Sequence, residues 1–89
     1  MKLNDFLKET LNKWVKIESD DFMIIQNITS FEPTKSPTMF KCVGKSVSKC
    51  EGDVLELDDF YMSKTHLDGI VNEISEEDAQ KYIQSMKEV

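Results

Sequence analysis

Arginine is missing from this sequence: all eleven basic residues are lysines. Arginine makes the rigid bidentate contacts to phosphates and guanine edges. Its absence from a chain of formal net charge −6 argues against a nucleic-acid binder, since phosphate is repelled. Histidine occurs once, at His66, and cysteine twice, at Cys42 and Cys50. A serine-type triad needs a histidine base, so His66 with Cys42 or Cys50 is the sole nucleophile–base combination on offer, and nothing local joins them. Two thiols and one imidazole do not complete the usual four-ligand zinc site without a carboxylate, and their spacing matches no zinc knuckle. The three glycines, Gly44, Gly52 and Gly69, form no phosphate-cradling run. P-loop, dinucleotide, nucleophile-elbow and metalloprotease motifs are absent. The chain is expected not to be an enzyme and to carry no cofactor or metal.

Long apolar runs are lacking too. The longest, Phe22-Met23-Ile24-Ile25, is far short of the roughly 20 residues a membrane span needs. The opening Met1-Lys2-Leu3-Asn4-Asp5 has an acid at position 5 and no apolar block after it, which reads against a secretory leader. The expected compartment is the cytoplasm, where Cys42 and Cys50 remain thiols; a disulfide across a hairpin is the alternative.

What is present is the material of a small folded domain. A chain of 89 residues suits one domain, here residues 1–89, and buries only about 60–65% of its unfolded surface. Hydrophobic residues make up 39% and charged residues 31%, a globular balance rather than a disordered one. Leu3, Phe6, Leu7, Leu11 and Trp14 recur at spacings of three and four, predicting a helix over 3–13 that packs on a sheet. Val15 and Ile17 alternate with polar neighbours, and Ser19-Asp20-Asp21 reads as a turn into the β-forming run Phe22–Thr29. Both prolines, Pro33 and Pro37, mark a surface loop. Strand character returns over Thr38–Val43 and again at Val54–Asp58, where the alternation predicts Leu55 and Leu57 turned inward. Ile70, Val71 and Ile74 suggest a short last strand. Ser75 is a good N-cap, Asp78 sits three residues on, and Ala79, Tyr82, Ile83 and Met86 form the apolar stripe of a terminal helix.

The order is helix, four to five mostly antiparallel strands, helix. It predicts a small α+β domain with a curled antiparallel sheet or partial barrel, both helices on one side or plugging an end.

Charge is unevenly spread. Residues 1–50 carry eight lysines against six acids, whereas residues 51–89 carry three lysines against eleven acids. Core packing requires no such split, and a basic partner would relieve the repulsion and speed encounter. The expected function is therefore that of a small acidic protein-binding module, an accessory or inhibitory protein acting on a basic surface of another protein. One such form is an inhibitor that fills an enzyme's nucleic-acid channel with carboxylates where phosphates would lie; bacterial and phage accessory proteins share this acidic, arginine-free composition. The candidate contacts are Asp53, Glu56, Asp58, Asp59 and Asp68, with Tyr61 as an aromatic anchor. Glu73, Glu76, Glu77 and Asp78 would extend that surface. Phe31, before the proline loop, is the other candidate exposed aromatic. Two alternatives stand beside this reading. One is a small hydrolase using the pairs Asp20-Asp21, Asp58-Asp59 or Glu76-Glu77. The other is a structural or homo-oligomeric protein that buries the stripe of its first helix.

Overall fold

The computed structural model describes residues 2–88. The chain runs α1 (Leu3–Glu9), β1 (Trp14–Glu18), β2 (Phe22–Pro33), β3 (Met39–Cys50), β4 (Asp53–Ser63), a 3₁₀ segment (Lys64–Asp68), β5 (Ile70–Ile74) and α2 (Glu76–Lys87). The strands form one open antiparallel sheet in the order β4-β3-β2-β1-β5. An α+β fold with terminal helices is what the periodicity predicts; the sheet does not close.

The helices do not share a side of that sheet, contrary to the expectation from sequence. Consecutive strand residues point to opposite faces, and both faces of β2 are apolar. Ile24 and Ile28 pack with Leu3, Phe6 and Leu7 of α1, and with Val15, Ile17, Cys42, Phe60 and Met62. Ile25 faces the other way, with Val47 and with Ala79, Ile83 and Met86 of α2. An unbroken Phe22–Ile25 run is the signature of a strand buried on both sides. Each fully buried side chain of the size of Leu7, Ile17 or Ile25 contributes about 1.5–3 kcal/mol.

Helix α1 is shorter than the predicted 3–13. Thr10 ends it by donating its backbone N–H (3.0 Å) and its hydroxyl (2.8 Å) to the Phe6 carbonyl. Asn12 then turns left-handed, φ 62°, and its N–H bonds the Ile28 carbonyl at 2.8 Å. Trp14 consequently leaves the helical stripe, joins β1 and packs on the α2 side. The Ser19–Asp21 turn forms as predicted, closed by the Ser19 N–H on the Phe22 carbonyl (2.9 Å). Pro33 is the last residue of β2 rather than part of the loop, paired with Phe40; β1 reaches only Asn27 along β2, so a missing N–H on that side breaks no ladder. In α2, Ser75 accepts the Asp78 N–H at 3.1 Å, and Glu76, Glu77 and Asp78 occupy the first turn, where the helix dipole favours them.

Two register shifts bend the sheet. Between Ile28 and Ser30 the β2–β3 pairing slips, and between Val43 and Ser46 the β3–β4 pairing slips. Gly44 lies at both. Its φ is +150°, and a Cβ there would stand 2.1 Å from the Asn27 carbonyl oxygen and 2.8 Å from Ile28 Cα. Gly52, at φ +88°, turns the β3–β4 hairpin with open space around it. Gly44→Ala is expected to lose about 3 kcal/mol or more, because backbone must move, and Gly52→Ala only about 1 kcal/mol of conformational strain. Urea unfolding of the two variants checks that order; equal losses would refute the bulge assignment.

Candidate functional site

Strand β4 is an edge of the sheet and carries most of the candidate contacts. Its pairing with β3 fixes which way each points. Phe60 and Met62 oppose Cys42 and Phe40 and face the α1 side. Tyr61 opposes Lys41, and Asp59 opposes Val43, so both face the α2 side. Glu56 also lies there, opposite Val47, and its carboxylate meets Lys87 of α2 at 2.9 Å. Asp58 lines a cleft on that face with Trp14, Asn27, Lys45 and Glu76. The irregular pairing of β3 with β4 between Val43 and Ser46 thus brings Glu56, Asp58, Asp59 and Tyr61 onto one face of one edge. Helix α2 packs on β1, β2 and β3 and meets this row at its two ends, through Lys87 on Glu56 and Glu76 beside Asp58. Tyr61 is 57% exposed.

Asp53 starts β4 opposite Cys50 and shares the opposite face with Leu55 and Leu57. Asp68 is not part of the group. The 3₁₀ segment carries the chain from the β4 edge across the α1 face to the β5 edge, and Asp68 ends it beside Phe6, Lys64, Leu67 and Val71. Glu73 belongs to that far edge as well, 3.9 Å from Lys13. Glu76 reaches the Asp58 cleft from the first turn of α2.

Leu55 and Leu57, predicted to point inward, are exposed, Leu55 by 55%. They lie opposite Ser48 and Ser46, on the α1 side but past the reach of α1. The alternation of β4 was readable; that these two leucines stay exposed at the edge, although the 3₁₀ segment reaches neighbouring Ser48, was not. Phe31, a candidate anchor for which partial burial under the loop is the favoured reading from sequence, is half-buried and stacks edge-on against Phe40, centroids 5.8 Å apart.

Glu56 is committed to a contact within the fold. The hydrogen bond from Lys87 lowers its pKa, with further attraction from Lys87 and Lys45 outweighing desolvation. Among the described residues Asp53, Asp58 and Asp59 form no ion pair. The β3 lysines Lys41, Lys45 and Lys49 share the α2 face one strand inward, so the acidic row borders a basic one.

Cys42 and Cys50 lie eight residues apart on one strand, about 26 Å at strand rise, which rules out a disulfide between them. Cys42 is fully buried, and desolvation pushes its thiol up to about 11; such a thiol is a poor nucleophile. Cys50 is exposed and shares a groove with His66, Phe22, Ile24, Ser48 and Thr65. No hydrogen bond joins Cys50 to His66. The imidazole Nδ1 instead accepts the Ser63 N–H at 3.1 Å, capping the 3₁₀ segment. Among the described residues no cluster of three or more His, Cys, Asp or Glu side chains is placed to hold a metal ion, and no helix is long and apolar enough to cross a membrane. Asp58 and Glu76 converge on the cleft of about 670 Å³, but both are solvent-exposed, whereas a carboxyl acting as proton donor is desolvated in a closed pocket.

No family model matches the chain, and no curated protein or solved structure matches it.

The buried thiol makes stability depend on pH. Folded, Cys42 keeps its proton to about pH 11; unfolded, it ionises from about 9.0. The unfolded state therefore binds fewer protons across that window, and stability falls as pH rises through it, by about 2 kcal/mol. Urea midpoints from pH 9 upward should show the fall, and Cys42→Ala should flatten that part of the curve. An unchanged slope in the variant would exclude Cys42 as its source.

Proposed function

We propose that this chain is a protein-binding module that presents the acidic, tyrosine-bearing edge of its sheet to a basic surface on another protein, as an accessory or inhibitory protein. The observation that carries the reading is the grouping of Asp58, Asp59 and Tyr61 on one face of an edge strand, all three exposed, with neither carboxylate ion-paired among the described residues. Exposed carboxylates steer a basic partner and set specificity more than they add affinity. An exposed tyrosine supplies apolar area with a hydroxyl at its tip, a combination enriched among interface hot spots. Glu56 contributes to the local field while holding Lys87. Asp53 extends the surface around the edge; Asp68 falls outside it.

Non-enzymatic action is part of the same proposal. It rests on the missing motifs and on the separate engagement of His66 and burial of Cys42.

Affinity capture from the native host, repeated with Asp58→Asn, Asp59→Asn and Tyr61→Ala combined, tests the reading. All three side chains are exposed, so the circular dichroism spectrum should not change while a partner with a basic surface is lost. An identical captured set from the folded triple variant would overturn it. Anisotropy titrations with generic DNA and RNA at physiological salt are expected to show no binding, despite the lysine row of β3; tight, salt-sensitive binding would show local attraction beating the net charge.

A further inference from the structure

The geometry points to strand addition as the way this edge takes its partner: the outer side of β4 pairs with an extended segment that alternates lysine or arginine with apolar residues. This rests on the acidic-edge reading above and adds the backbone to it. Strand β4 runs eleven residues and, among the described residues, pairs only with β3, so about half of its N–H and C=O groups face outward without a strand partner there. The opposite edge, β5, has five residues. Proteins blunt a long edge with charged side chains, lysine above all, with proline, with a bulge or by covering it; β4 has acidic side chains and one irregularity in its pairing with β3. From Asp53 to Ser63 there is neither lysine nor proline, and Val54, Leu55 and Leu57 are exposed.

The side chains specify the occupant. On the α2 face the edge shows Glu56, Asp58 and Asp59; on the other it shows Leu55 and Leu57. A guest strand has the same two-residue alternation. Basic residues on one of its faces would meet the carboxylates, and apolar residues on the other would cover the two leucines. A second copy of this chain is a poor guest. Antiparallel pairing of β4 with itself anywhere near its centre sets Glu56, Asp58 and Asp59 against one another, and like charges directly opposite destabilise a pair. The carboxylates thus disfavour self-pairing and favour a basic strand, with main-chain bonds giving affinity and charge giving selection.

The test uses the full chain and a synthetic peptide of about nine residues alternating lysine and valine. Its counterpart of equal charge is N-methylated at every second residue, which blocks hydrogen bonding along one edge. The plain peptide is expected to bind, to slow hydrogen exchange at β4 amides, and to weaken about tenfold or more on N-methylation. Equal binding of both peptides, lost in Asp58→Asn with Asp59→Asn, would overturn strand addition and leave the acidic-surface reading standing. No binding of either peptide would overturn strand addition, and the host-capture comparison then decides the acidic surface by itself. Dimerisation of the chain alone, with β4 amides protected, would make a second copy the occupant and overturn the proposal.

Discussion

The structure depends on β2 being apolar on both faces. Ile24 and Ile28 seed one core and Ile25 the other, and each face needs a cover. A seven-residue helix spans about 10 Å and a twelve-residue helix about 18 Å, whereas five strands spread about 19 Å across. Cover on each face is therefore partial, and each core is thin. What remains bare follows: Leu55, Leu57 and Tyr61 on β4, and Ile70, which is 69% exposed, on β5. The exposed edge is a consequence of dividing one short chain between two layers.

The charge split is partly accounted for inside the fold. Three of the eight lysines of the N-terminal half stand on β3, and four of the eleven acids of the C-terminal half stand beside them on β4. Lys45 helps hold Glu56 ionised, and Lys87 ties that carboxylate to α2. Part of the asymmetry read along the sequence is thus a boundary between neighbouring strands. On β4, Asp53, Asp58 and Asp59 form no ion pair among the described residues, and Tyr61 shares a face with the last two.

The irregular pairing around Gly44 links the fold to the candidate site. A slip in register redirects side chains. Here it lets Glu56, Asp58, Asp59 and Tyr61 share a face while Leu57 and Phe60 share the other. Two adjacent aspartates in a regular strand would point to opposite sides. Gly44 permits this because no Cβ fits against the Asn27 carbonyl.

Local patterns were legible in the sequence. The capped α2, the Ser19–Asp21 turn, the alternation of β1 and the existence of a last short strand follow from periodicity and turn chemistry, which act over a few residues. So did the choice of β4 for most candidate contacts, because its acids and Tyr61 are close in sequence. Three matters were decided only by tertiary structure. Alternation says that Leu55 and Leu57 share a face, but whether that face is covered depends on which distant elements pack over it, and neither leucine joins the core that α1 forms. Asp68 is ten residues from Asp58, yet the crossing of the 3₁₀ segment carries it to the opposite edge. The two helices lie on opposite faces because Ile24 and Ile25 are both apolar; periodicity reports that each residue seeks burial, and only packing assigns the element that buries it.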